Sequence, residues 1–472
     1  MTLSLRQAIP LCLALSVCAL LAVPSNFAGL SGDARLTFAV FALATCAWIG
    51  TPIDDTYIAL GAGLALAATG VISSDTLFGT LGDETVWLLI CAFVLAAAVS
   101  RTGLAARAAA FLVSGARSVR QLVHLTTAAL VVSAFAIPAT SGRAALALPV
   151  FLALAAVLRE RKRLVVMLAL LFPTVILLSA VATLIGAGAH LITVSVLWES
   201  AGEHVGFTQW LLLGLPLAIV TSHLAAEAVL LTTTRREDRH GPVRITVEDI
   251  QRHSPGTVTG PLSQPEARAA LLLFTVVGLW CSEPLHGVSP ALVALIGAVV
   301  AASPALGTVG LKDALKTVPW SLLLFMAATM AMGVALSASG AAKWLVSGVP
   351  GGAALPPWAF LGAVVLVSTG AHLLLQSRSA RSSVLVPLVV AAAAGAGVNP
   401  VSAALASTAA AGFCHTLPAS AKPVALFADI PDTPTYTPGD LLRLSAVLAP
   451  LTAVLVLVFA LLVWPLLGVP VR

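Results

Sequence analysis

The chain has 472 residues, of which 59% are apolar and 10% are charged, and its mean hydropathy is +1.02. Soluble domains carry about 25% charged residues, so this composition excludes a water-soluble enzyme and a nucleic-acid-binding or disordered chain. The sequence predicts an all-α polytopic protein of the cell membrane (inner or plasma membrane), and we attribute the net charge of +5 to cytoplasmic loops. The six cysteines lie in or beside apolar runs without metal-ligand spacing, so we expect no metal and no cofactor.

Eleven apolar runs predict spanning helices, some of them broken, because a crossing uses about 20 apolar residues. They lie at 8–26, 34–52, 56–73, 85–113, 165–198, 209–233, 268–285, 289–304, 318–347, 400–428 and 441–468. The first run follows Arg6 and also has some features of a secretory signal. A retained N-terminal helix within 1–33 fits the topology below better.

Two further stretches, 121–158 and 357–398, are interrupted near their middle by small and polar residues at 138–143 and 376–381. Their arms are at or below the length of a full crossing, so we predict two re-entrant hairpins. The one long polar stretch, 234–267, predicts a cytoplasmic linker.

The chain contains an internal repeat with a spacing near 235. Matching residues are Trp87 and Trp320, Arg143 and Arg381, Pro149 and Pro387, and the pairs Thr183-Leu184 and Thr416-Leu417. Residues 34–233 therefore correspond to 268–472, hairpin included. Five crossings in each copy is an odd number, which turns the second copy upside down. Inverted five-helix repeats of this kind are typical of secondary transporters.

Loop charges test this topology independently. With a cytoplasmic N-terminus, 18 Lys and Arg residues fall on the cytoplasmic side and three on the external side. The bias predicts a cytoplasmic N-terminus and an external C-terminus.

The four cations that topology does not explain all lie in broken elements: Arg143, Arg378, Arg381 and Lys422. A buried Arg or Lys costs about 2.5–3.5 kcal/mol at the bilayer centre, and the segments 121–158, 165–198, 357–398 and 400–428 contain no acid. A small anion from solution, or water in an open cavity, is the expected partner. The fork of arginine suits a carboxylate or sulfate.

Hydroxyl groups near these cations complete the predicted anion site: Thr140, Ser141, Ser377, Ser379 and Ser420, with His190 at the break of helix five. Alternatives stay open at this point. The hairpins are also consistent with ordinary helix pairs that carry Arg at the surface, and His190 with a histidine that satisfies backbone carbonyls. His223 and Glu227, one turn apart, fit either a proton relay or an interfacial pair.

Residues 78–89, the continuation to Arg107, and the pairs Leu148-Pro149 and Val386-Pro387 are similar to the divalent anion/sodium symporter family of the ion-transporter superfamily. The resemblance extends from about residue 34 to the end of the chain. It implies a homodimer in which a mobile transport domain moves against a fixed scaffold as an elevator.

The chain departs from the family pattern at both hairpin tips, where that family usually has Ser-Asn-Thr. The matching positions are Ala139-Thr140-Ser141 and Ser377-Arg378-Ser379. Because fixed cations disfavour a neighbouring sodium ion, we predict sodium-independent transport of di- or tricarboxylates or sulfate, by exchange, facilitated flux or proton linkage. A sodium-coupled symporter and an anion channel are the main alternatives. A cation antiporter and an enzyme that uses Ser420 and Lys422 are weaker ones.

Overall fold

A computed structural model describes residues 15, 17–19, 29–240, 242–254, 256–347 and 355–472. This part of the chain is helical, apart from one isolated β-bridge between Ser118 and Pro242. Nine helices within it are long and apolar enough to cross a membrane. The predicted all-α polytopic class is confirmed. The predicted first helix, 8–26, lies almost wholly outside the described residues.

The helices of the first half and of the segment after it are α1 Gly32–Gly50, α2 Asp55–Ala68, α3 Ser74–Gly79, α4 Glu84–Thr102, α5 Leu104–Val113, α6 Val119–Ala136, α7 Thr140–Val157, α8 Lys162–Leu178, α9 Gly188–Ala201, α10 Phe207–Thr233, α11 Arg236–His240 and α12 Val247–His253.

The helices of the second half are α13 Gln264–Cys281, α14 Glu283–His286, α15 Pro290–Ala302, α16 Leu311–Lys316, α17 Trp320–Ala338, α18 Ala341–Ser347, α19 Pro357–Gly370, α20 Arg378–Ala396, α21 Pro400–Ala410, α22 Lys422–Ala428, α23 Pro438–Val458 and α24 Trp464–Leu466. A π-helical turn at 459–463 joins the last two.

The helix breaks of the two halves have the same backbone conformation. Each contains a three-residue 3₁₀ turn, Leu184–Gly186 or Pro418–Ser420, between two extended residues. The preceding residue has φ and ψ of −130° and 151° in the first half and −128° and 149° in the second. The following residue has −158° and 147°, and −156° and 145°.

This match aligns Thr183 with Leu417, one residue away from the sequence pairing of Thr183 with Thr416. It supports the internal repeat. The repeat boundaries 34–233 and 268–472 and the inverted orientation stay predictions.

Two of the predicted spanning helices, 85–113 and 318–347, are each interrupted by a glycine. Gly103 ends α4 and Gly340 follows α17, and both have φ of +79°. Only glycine adopts this left-handed conformation without a steric penalty, so a helix commonly ends there. The interruption recurs at the same place in both halves.

The predicted hairpins contain helical arms of 18 residues, α6 and α7, and of 14 and 19 residues, α19 and α20. Each tip lies against the helix break of its own half. Ala139 N–H donates to Ile185 O (3.4 Å), Thr183 Oγ1 donates to Ala134 O (3.1 Å), and a His372 ring nitrogen lies 2.6 Å from Thr416 Oγ1. Contact with a break in mid-helix is what re-entrant hairpins require. Three of the four arms are also long and apolar enough to cross a membrane, so the re-entrant hairpins stay a prediction.

The predicted linker at 234–267 contains short helices and packs against the rest of the chain. Thr246 caps α12 and Ile250 is buried against the first half. Hydrogen bonds from Thr246 hold the pKa of Asp249 below its usual range, and Arg252 adds to this effect. Arg107 is buried and pairs with Glu266, which follows the start of α13, at 2.9 Å.

Helix α8 is the centre of the first half. In the 18-residue apolar window of Lys162–Ala182, 94% of the residues are buried inside the protein. The rings of Phe151, Phe172 and Phe427 pack together, with centroids 5.4–5.6 Å apart. Apolar packing from both halves thereby fixes the position of the break that follows α8.

Candidate functional site

The second hairpin tip places two arginines on one helix face. Ser377 caps α20, because its Oγ accepts from Ala380 N–H (3.3 Å). Arg378 and Arg381 are the first and fourth residues of that helix. Side chains three residues apart are neighbours on a helix surface, so the cap directs both guanidinium groups toward the helix breaks.

Arg381 is fully buried, with 0% of its surface exposed. Its Nη1 donates to Phe413 O (3.3 Å), whereas Nε and Nη2 have no partner among the described residues. The Oγ of the neighbouring Ser382 is also buried and without a partner in this part of the chain. Buried guanidinium nitrogens are rarely left without an acceptor, because their desolvation is costly.

Arg378 crosses from the second hairpin to the first half of the chain. Its Nη2 lies 3.1 Å from His190 Nε2, and its Nη1 lies 3.5 Å from Leu177 O, while Nε has no partner within the described ranges. A Cβ atom at Gly412 would lie 2.9 Å from Nη2, so a glycine there allows the close approach. Arg378 therefore lies between the breaks of both halves.

His190 holds Arg378 in place. Its Nδ1 lies 3.0 Å from Thr183 O, so Nδ1 carries the proton and the lone pair of Nε2 accepts from Arg378. The ring stacks on Trp210, with centroids 4.8 Å apart. His190 thus satisfies a backbone carbonyl, as one alternative proposed, and also contacts a predicted site cation.

Arg143 differs from the expectation of an unneutralised cation. It is buried, and all three guanidinium nitrogens have partners: Nε donates to Ser133 Oγ, Nη1 to Ile176 O, and Nη2 to Leu130 O and Ser179 Oγ. The protein itself supplies the acceptors, so Arg143 needs no bound anion.

Lys422 also departs from the prediction. It is the first residue of α22 and its side chain is exposed. The carboxyl group of Asp55, at the start of α2, lies near enough to Ser377 and Lys422 to interact with both. The broken segments themselves contain no acid, but this one approaches Lys422 from an element outside them.

The predicted hydroxyl residues have different surroundings, and only some of them lie near the arginines of the second tip. Ser379 lies beside Arg378, and a Cβ atom at Gly188 would meet its Oγ at 3.4 Å. Ser420 is buried and accepts from Leu417 N–H (3.0 Å), which is a structural role in the break. Thr140 and Ser141 begin α7 in the first hairpin, and Ser141 is exposed.

The arrangement can bind an oxyanion. It brings together Ser377, Arg378, Ser379, Arg381 and His190 of the predicted set, with Ser382 beside them, and adds Asp55 and Phe413, which the prediction did not include. Three guanidinium nitrogens in it lack an acceptor within the described residues. Charge-assisted hydrogen bonds from such donors to a carboxylate or sulfate are among the strongest in proteins.

Comparisons with known proteins agree with this chemistry. The family model described as "Citrate transporter" (CitMHS) matches residues 45–410. A protein of Cupriavidus necator described as "Membrane protein" is 26% identical over 396 residues, which are 79% of this chain and 75% of that protein. The chloroplastic dicarboxylate transporter 1 of Spinacia oleracea is 25% identical over 392 residues, 80% of this chain and 67% of that one.

Two further similarities concern a second bacterial relative and the fold. The putative malate transporter YflS of Bacillus subtilis is 24% identical over 329 residues, 67% of this chain and 66% of that protein. The crystal structure of the YdaH transporter of Alcanivorax borkumensis superposes with a TM-score of 0.58 at 18% identity, covering 98% of this chain and 99% of that chain. At that identity the superposition shows the fold alone.

Proposed function

The chain belongs to the CitMHS citrate transporter family, and from that premise we propose that it is a secondary transporter of small anions with two or more negative charges. It is a membrane transporter and not an enzyme, which excludes a nucleophilic role for Ser420 and Lys422. Arg378 and Arg381 form the anion site, with Ser377, Ser379 and Ser382 around them.

The observation that carries the proposal is the state of Arg381. A guanidinium group with no exposed surface and two nitrogens without acceptors is unfavourable unless a ligand completes it. No ion pair within the described residues includes Arg378 or Arg381. An anion from solution would supply both the missing charge and the missing acceptors.

A dicarboxylate fits the site best. Two guanidinium groups three residues apart offer one cation to each of two carboxylates, and the names of two relatives refer to dicarboxylate and to malate. Sulfate, with several oxygens on one centre, and citrate are the competing ligands.

Sodium independence follows from the same charges. Two fixed cations at the tip would repel a sodium ion bound within about 4–6 Å by several kcal/mol at an effective dielectric near 20. We propose that the arginines replace the charge that sodium supplies elsewhere. We also propose a homodimer with elevator movement, a cytoplasmic N-terminus and an external C-terminus, on the basis of the family resemblance and the loop charges.

Uptake into proteoliposomes tests the proposal. Labelled succinate, citrate and sulfate are each offered in sodium or potassium buffer, with and without unlabelled anion inside the vesicles. We expect saturable succinate uptake that is equal in the two buffers and faster with internal anion. Strict sodium dependence would contradict sodium independence, and unitary currents in planar bilayers would identify a channel instead.

A further inference from the structure

A second polar cluster joins the first hairpin arm to helix α10, away from the second tip. His124 and Arg120 lie on α6, and His223 and Glu227 lie on α10. His124 Nδ1 is 2.8 Å from His223 Nδ1, and His124 Nε2 is 2.7 Å from Glu227 Oε1. Arg120 donates to the other carboxylate oxygen at 2.8 Å. Glu227 thus bonds to His124 across the helix junction rather than to His223 on its own helix.

The two imidazole rings meet edge to edge. Their planes differ by 28° and their centroids are 5.1 Å apart. With the Nδ1 atoms 2.8 Å apart, this is the geometry of an in-plane N–H···N hydrogen bond. Such a bond requires one Nδ1 atom to carry a proton and the other to present a lone pair.

The carboxylate fixes the tautomers of the neutral pair. Glu227 also accepts from Arg120, so it is ionised and His124 Nε2 carries a proton toward it. In the neutral ring, His124 Nδ1 is then the acceptor and His223 Nδ1 the donor. The Nε2 atom of His223 remains as the one ring nitrogen with a free lone pair.

The pair can accept one proton without losing its bond. A proton that binds His223 Nε2 lets the Nδ1 proton of His223 pass to His124, whose imidazolium form then lies against the Glu227 carboxylate. The N–H···N bond is kept with its direction reversed, and it becomes charge-assisted. A second proton would place two N–H groups face to face at 2.8 Å, so the bond would be lost and two cations would oppose each other.

Several charged groups on the elements packed against α6 and α10 have partners outside the histidine pair. Arg107 pairs with Glu266, Arg163 with Asp238, Arg443 with Asp440, and Arg143 bonds to hydroxyls and carbonyls. Arg236 of α11 also has an interaction partner. The remaining groups on those elements include Glu84, Arg101, Lys162, Glu237, Arg239, Arg268, Glu283 and His286. Glu227 contacts His124 directly, and Arg120 contacts Glu227.

We propose that His124 and His223 form a binding site for one shared proton, and that this proton sets how firmly α6 docks on α10. Docking is firmest with one proton bound and weakest with two. Neither histidine belongs to the predicted anion site, and the proposal does not depend on which anion is transported.

The position of the pair on α6 gives the proton an effect at a distance. The same helix supplies Leu130 O and Ser133 Oγ, which hold Arg143. Helix α6 is therefore held near the first hairpin tip by Arg143. Near its start it is held by the bond between His124 and His223, whose strength depends on pH. Loosening the junction at acid pH would free the arm that carries the tip.

Thermal unfolding of the purified full-length protein in lipid nanodiscs, without added anion, tests the proposal between pH 5 and 8. We expect the Tm of the wild type to rise by about 2 °C as the first proton binds and to fall by a similar amount at lower pH. In His223→Asn the acid-side fall should be lost, because a side-chain amide can turn its oxygen toward protonated His124. In His124→Asn the rise should be lost, because no ring faces Glu227.

His253→Asn is the matched control, since His253 is an exposed histidine of α12 outside the cluster. It should keep the whole profile of the wild type. A His223→Asn profile that retains the acid-side fall would overturn the proposal, as would a flat profile in the wild type.

Glu227→Gln covers the case in which a histidine variant does not fold. Without the carboxylate the first proton should bind about tenfold more weakly, so the rise in Tm should be centred about one pH unit lower. An unmoved rise would refute the proton site. None of these measurements involves anion transport, so their failure is distinct from a failure of the proposed function.

Discussion

The two hairpin tips carry equivalent arginines that differ in how many of their nitrogens have hydrogen-bond partners. Arg143 and Arg381 are each the fourth residue of the second arm, and the Nη1 of each donates to a backbone carbonyl, Ile176 O within α8 or Phe413 O just after α21. Arg143 has partners for every nitrogen, whereas Arg381 lacks two within the described residues. A shared backbone frame therefore supports a structural cation in one half and a candidate binding cation in the other.

One residue in the first arm accounts for part of the difference. The spacing of 238 that relates Arg143 to Arg381 also relates Ser133 to Ala371. Ser133 Oγ accepts from Arg143 Nε at 3.0 Å, and Ala371 has no side-chain acceptor to offer Arg381. We infer from this spacing that a missing hydroxyl leaves Nε of Arg381 without an acceptor, and substitution of Ala371 tests it.

Arg381→Ala should have the largest effect on transport. Removing one partner of a buried charged contact costs about 2–5 kcal/mol, so the apparent affinity for a dicarboxylate should fall about 100-fold. Arg381→Lys keeps the charge and loses the fork, so its loss should be smaller. Uptake into proteoliposomes at graded substrate concentration measures both. Wild-type affinity in Arg381→Ala would show that the second tip is not the site.

Arg143→Ala should act on stability first. The substitution removes the donor of Ile176 O and of the Ser133 and Ser179 hydroxyls, and one of the two side-chain donors of Leu130 O, so we expect a loss of about 3 kcal/mol in the free energy of unfolding. Thermal unfolding in detergent measures it. Arg443→Ala, which removes an exposed ion pair at 4.0 Å, is the control and should change stability by less than about 0.5 kcal/mol. If Arg143→Ala kept the wild-type Tm but abolished transport, Arg143 would act in transport and not as a structural cation.

Ala371→Ser should make the second tip resemble the first. The new hydroxyl would accept from Arg381 Nε and compete with the bound anion, so the affinity should fall about tenfold, the value of one charged hydrogen bond. Ala371→Cys is the matched control, because cysteine has nearly the same shape and is a weak acceptor. Equal affinities in the two variants would mean that Nε of Arg381 does not bind the anion.

Much of this comparison could be predicted from the sequence. The arginine spacing, the helix breaks and the position of both tips follow from apolar runs that are interrupted in the same order twice. These features depend on composition and period, which a single sequence carries directly.

The different roles of the two arginines could not be predicted. Arg143 is satisfied largely by the carbonyls of Leu130 and Ile176, and backbone acceptors leave no signal in a sequence. The approach of Asp55 to Ser377 joins residues more than 300 positions apart, and it arises only from tertiary packing. The docking of Ile250 likewise depends on a surface that the first half forms after folding.

The smallest expected effect concerns the tip backbone itself. Ala139, which caps α7, has φ of +64° and ψ of 139°, whereas its counterpart Ser377 has an ordinary φ of −71°. A non-glycine residue in that region carries about 1–3 kcal/mol of strain, and glycine relieves it at an entropic cost of about 0.5–1 kcal/mol. Ala139→Gly should therefore stabilise the protein by about 1 kcal/mol, seen as a higher Tm. Ala145→Gly, at an exposed position inside α7, should instead destabilise it by a similar amount. If both variants lower the Tm equally, the first tip stores no strain, and the two tips differ in their side chains alone.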